Sequence, residues 1–294
     1  MENIKHTDMN AEKNKVEKGT LYLVATPIGN LADLSERAIK VLSEVDFVAA
    51  EDTRNSGLLL SRFGISKPFV SYYEHNKRER GEYIVSRLKA GESCALVTDA
   101  GMPAISDPGE DIVKLCAEVG VPVTAVPGCC AAVTALALSA LTTGRFAFEG
   151  FLPAVKGDRR KRLDAIKAEE RTMIFYEAPH KLKNTLLDMK EAFGGDRRIS
   201  LCRELTKLNE EIIRTTLDEA IAIYGEKEPR GEYVLILEGG VQGAKTNEDL
   251  QLTEREEVEA LIKGGMSKMD AIKAVAKRRG VPKSKIYDLM LDEQ

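Results

Sequence analysis

Long apolar segments and patterned cysteines are both missing from this sequence of 294 residues. No segment reaches the roughly 18 uninterrupted apolar residues that a membrane span requires, and residues 1 to 18 are polar without a signal-peptide core. The five cysteines have neither the paired spacing of a zinc site nor the density of a disulfide framework, so we expect them to be reduced. Together these absences predict a cytoplasmic protein.

An excess of positive charge is also missing, because the formal net charge is −4 at pH 7. Any binding of nucleic acid must therefore rely on local basic stretches rather than on the overall field. The chain does have 43% apolar and 31% charged residues, a balance that is typical of soluble globular proteins. Its length predicts two compact domains with a small appendage.

The spacing of apolar residues predicts an α/β protein. Short apolar runs alternate with helical patterns from Leu21 to Val126, which is typical of a parallel sheet covered by helices. A second set of runs lies between Phe146 and Leu237, where strands sometimes succeed one another directly, so we expect a mixed sheet. Three helical patterns follow a polar linker, with Ser267 as a predicted N-cap. The predicted parts are a disordered tail (1–18), an N-terminal α/β domain (19–127), a C-terminal α/β domain (128–240), a linker (241–252) and a helical appendage (253–294).

Loops at the carboxyl ends of the predicted strands are candidate ligand sites, because parallel strands open a crevice there. The loop Thr26–Asn30 matches neither the dinucleotide nor the P-loop pattern, and a tight turn before a helix capped by Asp33 or Ser35 explains it equally well. The loop Thr98–Gly109 contains two glycines and two prolines, more than an ordinary connection needs. Within it, Asp99 can accept a hydrogen bond from a ligand or form a structural Asx-turn.

Small or charged residues follow the remaining strands of the first set. Pro127–Ala132 consists of small residues, which permit either close approach of a ligand or tight packing of a helix. The segments Glu51–Arg54 and Tyr73–Lys77 bring acidic and basic side chains to the same edge of the sheet. Helix capping is the alternative role for Asp52 or Thr53.

Basic side chains concentrate in two stretches, Lys156–Arg162 and the appendage between Lys268 and Lys285. Such stretches hold nucleic-acid phosphates in a salt-sensitive way, although a solvated helix face is the alternative for the first of them. Isolated basic residues after other strands could add to this contact. The predicted RNA-binding residues are Arg54, Lys77, Arg159, Arg160, Arg203, Lys207, Lys277, Arg278 and Arg279.

Seven strings follow the predicted strands in order: TPIGNLADLSERA, EDTR, YEHN, DAGMPAISDPG, GFLP, FYEAPHK and RELTKLNEE. Together they resemble the ribosomal RNA small subunit methyltransferase I family of the tetrapyrrole methylase superfamily, over about residues 19 to 240. This resemblance implies two α/β domains of tetrapyrrole methylase type with S-adenosylmethionine bound in the cleft between them. It also implies a homodimer and 2′-O-methylation of a cytidine ribose in 16S ribosomal RNA, in the decoding region of the small subunit.

The resemblance further implies which residues contact the cofactor. By position they are Pro27, Ile28, Gly29, Asn30, Asp99, Ala100, Gly101, Ala104, Ile105, Gly128, Ala131, Tyr176 and Glu204. Where family members usually have Pro-Gly-Pro-Ser-Ala, this chain has thiols at Cys129 and Cys130, which removes the serine hydroxyl from that loop. No base or resolving partner is identifiable near these thiols, so we expect them to be packing residues.

Methyl transfer from a sulfonium depends on in-line orientation and exclusion of water, so we predict no metal cofactor. A ribose hydroxyl is a weak nucleophile and needs a nearby base or hydrogen-bond acceptor. The candidates for this role are Glu51, Asp52, Glu74 and His75. Two alternatives stay open: a methylase of porphyrin precursors with the same architecture, and a non-catalytic RNA-binding assembly factor that binds no cofactor.

Overall fold

The computed structural model describes residues 15–240 and 254–290, and the chain divides into two units after Glu238. The predicted linker and most of the predicted tail lie outside the described residues, although Val16 packs against the first core. No helix in the described part of the chain is long and apolar enough to cross a membrane. The strands of the first unit are β1 (Leu21–Val24), β2 (Phe47–Ala50), β3 (Phe69–Ser71), β4 (Cys94–Val97), β5 (Val123–Val126), β6 (Phe146–Phe151), β7 (Thr172–Glu177), β8 (Arg198–Arg203), β9 (Glu211–Thr216) and β10 (Tyr233–Leu237).

The first sheet is parallel throughout, as predicted, with the strand order β3-β2-β4-β1-β5. Its central strands are apolar along their whole length because helices cover both faces of the sheet. Consecutive residues therefore enter opposite cores: Phe47 packs with Ile84 on one face, and Val48 packs with Leu42 on the other. The helices are α1 (Glu36–Glu44), α2 (Thr53–Arg62), α3 (Lys77–Lys89), α4 (Gly109–Glu118) and α5 (Ala131–Leu138).

The second sheet is mixed, which confirms the prediction, and its strand order is β6-β7-β10-β8-β9. Only the β6–β7 pair is parallel, and the other three pairs are antiparallel. One face packs against a cluster that includes Leu163, Leu182 and Leu217, and α5 covers the other face through Ala135 and Leu136. The helices on the first of these faces are α6 (Lys156–Ala165), α7 (Pro179–Phe193) and α8 (Leu217–Glu226).

Side-chain caps start two of the helices beside the carboxyl edge of the first sheet, α1 and α2. Ser35 accepts a hydrogen bond from Ala38 N and is the N-cap of α1, so the predicted alternative cap Asp33 is wrong. Asp52 accepts hydrogen bonds from Arg54 N and Asn55 N and is the N-cap of α2. These caps satisfy backbone donors that have no partner within the helix, and they fix where each loop ends.

The second unit consists of the three predicted helices, α9 (Glu254–Lys263), α10 (Lys268–Arg279) and α11 (Lys283–Leu289). Ser267 caps α10, as predicted, and Gly280 ends it with a left-handed φ of 65°. The predicted apolar face of α10 is buried against Val258 and Ile286, so the unit has a core of its own. That face consists of Ala271, Ile272, Val275 and Ala276.

Candidate active site

A cavity of about 550 Å³ lies between loops of the first sheet and loops of the second. The first sheet contributes the loops that follow β1, β2, β4 and β5, all at the carboxyl edge where open α/β sheets bind ligands. The second sheet contributes Tyr176–His180 and residues between Glu204 and Lys207. Small-molecule sites usually measure roughly 300 to 1,000 Å³, so this cavity has the size of a ligand site.

Two backbone hydrogen bonds join the loops after β1 and β4. Thr26 N donates to Gly101 O at 2.9 Å, and Gly101 N donates to Thr26 O at 3.1 Å. Gly101 has a φ of 89°, a conformation that side chains rarely adopt. A Cβ at this position would lie 3.4 Å from Cγ2 of Ile28, which lines the cavity. The two loops thus form one continuous wall that depends on glycine at this point.

The carboxylate of Asp107 braces the rest of the loop after β4. Its Oδ1 atom accepts hydrogen bonds from Ala104 N at 2.8 Å and from Gly109 N at 2.7 Å. Ala104 and Ser106, both in the segment that these hydrogen bonds hold, have positive φ values of 67° and 59°. Such conformations cost on the order of 1 to 3 kcal/mol each and persist only where surrounding contacts impose them. The strain is therefore concentrated in the loop that faces the cavity.

A network of charges holds the opposite wall. Glu204 Oε1 accepts hydrogen bonds from Glu232 N and from Lys207 Nζ, both at 2.9 Å. Lys207 Nζ also contacts Glu232 Oε2 at 2.8 Å. Glu204 and Thr206 have positive φ values of 51° and 66°, so this turn is strained as well. The side chain of Lys207 lies directly over Gly29, where a Cβ would overlap with it, so the two walls meet at this point.

Two acidic groups in the cavity have raised pKa values. Partial burial, followed by repulsion from Asp99 and Asp107, raises the pKa of Glu51. Burial also raises the pKa of Asp107, although hydrogen bonds from the backbone oppose the shift. Desolvation raises the pKa of Tyr176 to about 12, so its phenol stays neutral. Acidic groups with raised pKa values in a cleft are typical of functional sites.

Seven of the predicted cofactor residues line this cavity: Ile28, Ala100, Gly101, Ile105, Ala131, Tyr176 and Glu204. The other six lie in the same loops but do not line the cavity. Asn30 caps a short 3-10 helix (Leu31–Asp33), and Asp99 is exposed and accepts a hydrogen bond from Asn55. Gly128 lets its loop pack against Ala25, where a Cβ would approach Ala25 Cβ to 2.8 Å. The remaining three are Pro27, Gly29 and Ala104.

The four candidate bases separate clearly in the structure, and only Glu51 borders the cavity. Asp52 is the N-cap of α2, which is the alternative role noted for it. Glu74 and His75 are exposed in the loop after β3, and Glu74 pairs with Lys77. The segment after β3 contacts the wall loop, because Tyr72 Oη donates a hydrogen bond to Pro108 O at 3.0 Å, but neither Glu74 nor His75 lines the cavity. The assignment of Glu74 and His75 as bases stays a prediction.

The predicted RNA contact at Arg159 is also wrong, because this side chain is only 6% exposed. Its guanidinium donates to Asp188 Oδ2 from Nε at 2.8 Å and from Nη2 at 2.6 Å. Arg160 lies beside it and pairs with Asp188 and Glu191. The basic run thus attaches α6 to α7 through charges that are distant in sequence.

Other predicted RNA-binding residues are also engaged with acidic partners. Lys77 contacts Asp111 and Glu74, and Arg203 contacts Glu211. In the second unit, Arg278 and Arg279 both pair with the buried carboxylate of Glu257 and help to hold that unit together. Arg54 is 89% exposed beside the cap of α2, and Lys277 is exposed on α10. Lys207 lies in the cavity wall, as described above.

Several cavity residues were missed by sequence reasoning. His180 belongs to the string FYEAPHK and Asp107 to DAGMPAISDPG. The strings therefore identified the loops, but these two side chains were not predicted as site residues. Glu232 has no sequence signal, because a loop far along the chain brings it to Glu204. Cys130 lines the cavity, and all five cysteines, each within the described residues, are unpaired. Among the described residues, no group of three or more His, Cys, Asp or Glu side chains is placed to hold a metal ion.

Residues 20–221 match the family model of the tetrapyrrole (corrin/porphyrin) methylases. The chain belongs to this family. Two relatives, from Halalkalibacterium halodurans and Bacillus subtilis, are both named ribosomal RNA small subunit methyltransferase I. They are 48% and 47% identical over 94% and 93% of this chain, and over 96% and 94% of their own lengths.

A solved member with the same fold is the uroporphyrin-III C-methyltransferase of Thermus thermophilus, in complex with S-adenosyl homocysteine. Its TM-score is 0.52 at 18% identity, and the match covers 74% of this tetrapyrrole methylase and 97% of the solved chain. The predicted α/β fold class of tetrapyrrole methylase type is thereby confirmed, with two sheets covered by helices and a helical region that follows them in the chain.

Proposed function

We propose that this chain transfers the methyl group of S-adenosylmethionine to the 2′-hydroxyl of a cytidine ribose in 16S ribosomal RNA of the small subunit. The observation that carries the proposal is the near-full-length similarity to the two relatives named for this class of enzyme. The S-adenosyl homocysteine complex of the uroporphyrin-III C-methyltransferase supports the choice of cofactor. The decoding region as the target rests on the resemblance of the seven strings.

The residues of the cavity fit such a cofactor in size and in chemistry. Ile28, Ile105 and Tyr176 offer apolar surface for an adenine ring, and the small residues Ala100 and Gly101 expose backbone groups that can bond to hydroxyls. Acidic side chains in the same cavity suit the positive charge of an ammonium or sulfonium group. When bound there, S-adenosylmethionine would supply an electrophilic methyl group.

The protein's own contribution is orientation, exclusion of water and removal of a proton. The two walls, joined where Lys207 lies over Gly29, limit the access of water to the cavity. Glu51 is the best-placed proton acceptor for a ribose hydroxyl, because it borders the cavity and its pKa is raised above the ordinary value for glutamate. Arg54, exposed three residues further along, is placed to hold an adjacent phosphate.

Transfer of a labelled methyl group tests this proposal against its alternatives. The protein is incubated with labelled S-adenosylmethionine and either small subunits from cells that lack it or a porphyrin precursor. We expect label in the 16S RNA only. Label in the porphyrin precursor would favour the tetrapyrrole alternative, which the fold neighbour suggests at 18% identity. Absence of any heat of binding in titration calorimetry with S-adenosylmethionine would favour a non-catalytic assembly factor.

Gly101→Ala should weaken the binding of S-adenosylmethionine by about tenfold, equivalent to about 1.4 kcal/mol. The added Cβ would force an unfavourable φ on the residue that joins the two loops of the cavity wall, and it would contact Ile28 there. The matched control is Gly120→Ala, which has a φ of 71° but no atom within 4 Å of the added Cβ. Both variants should lose about 1 kcal/mol of unfolding free energy, as expected for strained backbone. Equal cofactor affinities in titration calorimetry would contradict the role given to the Thr26–Gly101 wall.

Lys277→Ala should weaken binding to small-subunit RNA and reduce the slope of log affinity against log salt by about one. Lys277 is exposed on α10 and belongs to the predicted RNA-docking appendage. Lys89→Ala, an exposed lysine at the end of α3, serves as the control. If the two variants bind equally in filter-binding titrations across salt concentrations, the appendage does not dock RNA through this lysine.

We further infer a homodimer in the cytoplasm, where ribosomal small subunits are found. This inference rests on the resemblance of the seven strings to the family, which implies a homodimer. Light scattering of the purified protein should give the mass of two chains. The mass of one chain at micromolar concentration would contradict the inference.

A further inference from the structure

An aromatic side chain at the edge of the cavity has no role among the cofactor contacts. Phe151 is the last residue of β6, lines the cavity and is 61% exposed. Leaving a phenyl ring this open forgoes much of the stabilisation that burial would give, and large aromatic rings are usually buried. The ring is therefore available to a ligand at the mouth of the site.

Neighbouring rings hold Phe151 in place. Its centroid lies 5.4 Å from that of Tyr176 at an interplanar angle of 59°. Tyr176 is in turn packed edge-on against Phe148, with centroids 5.2 Å apart. Aromatic pairs at these distances contribute favourable energy beyond simple burial, so the exposed ring rests on a packed support.

The loop after β4 meets the same rim. Gly150, which has a φ of 64° and sits at a bulge in β6, lies close to Ser106, and a Cβ there would be 3.1 Å from Ser106 Oγ. The residues next to this contact are Ile105 and Phe151, and both line the cavity. Ile105 is also 44% exposed. Two exposed apolar side chains, Ile105 from the loop after β4 and Phe151 from the end of β6, thus border the cavity.

We propose that Phe151 is the stacking platform for the nucleobase of the nucleotide whose ribose is methylated. This inference rests on the proposed function. A nucleotide that is single-stranded or turned out of the stack can place its ribose in a cavity, and the face of its base is then exposed. Aromatic side chains take up such faces, because every base has a π-face. The platform positions the ribose and does not read the sequence.

Steady-state kinetics with unmethylated small subunits tests the platform. Phe151→Leu keeps an apolar side chain but removes the ring, so we expect the KM for the subunit to rise about tenfold or more. Phe151→Tyr should restore a KM near that of the wild type, and affinity for S-adenosylmethionine should not change. The control is Phe146→Leu, on the same strand and 40% exposed but outside the cavity lining, which should behave as wild type. Wild-type KM and kcat in Phe151→Leu would overturn the proposal.

The absence of tryptophan from the chain allows a direct second test. Phe151→Trp introduces the only tryptophan, and its emission should be quenched as a labelled cytidine-containing RNA oligonucleotide saturates the protein, with binding followed by anisotropy. Phe146→Trp should show no such quenching. Unchanged emission of Phe151→Trp at saturation would also overturn the proposal. A second contradicting result would be that Phe151→Leu dissociates a dimer, because the ring would then belong to an interface between copies. Failure of the proposed function looks different, because wild-type protein would then transfer no methyl group at all.

Discussion

Glu51→Gln should lower the rate of methyl transfer to the small subunit by about 100-fold or more, in keeping with the usual contribution of a general base. Of the four acidic or imidazole groups that the sequence offered for this role, Glu51 alone borders the cavity. Glutamine keeps the size of the side chain and its hydrogen-bonding capacity but cannot accept the proton. Affinity for S-adenosylmethionine and thermal stability should stay close to those of the wild type.

The pH profile gives an independent check on Glu51. The carboxylate accepts a proton only when ionised, so the rate should rise with pH through a pKa that lies above the ordinary value for glutamate. Asp107→Asn removes one of the carboxylates that raise the pKa of Glu51, so the fall in rate on the acid side of the profile should occur at a lower pH. Glu51→Gln should abolish this fall in rate at low pH.

Asp52→Asn is the matched control for Glu51→Gln, since this neighbouring side chain caps α2. Asparagine is also a good N-cap, so both stability and methyl transfer should change little. If Asp52→Asn loses as much activity as Glu51→Gln in initial-rate measurements, the assignment of the base to Glu51 is wrong.

Asp188→Ala should lower the free energy of unfolding by about 3 to 5 kcal/mol, because it leaves the buried guanidinium of Arg159 without its carboxylate partner. Glu191→Ala removes only the exposed partner of Arg160 and should cost about 0 to 1 kcal/mol. Urea unfolding of the two variants measures the difference. Similar losses would show that the Arg159–Asp188 pair is not the structural link described here.

The contribution of Asp188 also depends on pH. Burial alone would raise the pKa of this carboxyl, but hydrogen bonds from Arg159 and Arg160 hold it below the ordinary value. A group with a lowered pKa in the folded state stabilises the protein above its unfolded pKa of about 3.9. This stabilisation is lost as the pH falls through the lower folded pKa, so the gap between wild type and Asp188→Ala should narrow in strong acid.

The layered fold could be predicted because its signal is local. Runs such as Cys94–Val97 are apolar at every position, which is typical of strands buried on both faces, and Ser267 marks a helix start by its residue type alone. The order of the strands is not local. Nothing in the chain places β3 at the edge of the sheet, so the sequence could not show that Glu74 and His75 lie outside the cavity lining.

Side-chain partners from distant parts of the chain also escape prediction from the sequence. Arg159 and Arg278 lie in basic stretches that read as RNA-binding surfaces, but their partners Asp188 and Glu257 are separated from them by 29 and 21 residues. The loops of the cavity were predicted correctly as a group, because the carboxyl ends of parallel strands meet at one edge. Which side of each loop faces the cavity depends on backbone geometry, such as the positive φ of Ala104, that the residue types do not reveal.

Mapping of ribose methylation in 16S ribosomal RNA from cells that lack this protein tests the central claim most directly. The account predicts that 2′-O-methylation of one cytidine in the decoding region disappears. It also predicts that expression of the wild-type protein restores it and that expression of Glu51→Gln does not. An unchanged pattern of ribose methylation in cells without the protein would contradict the claim.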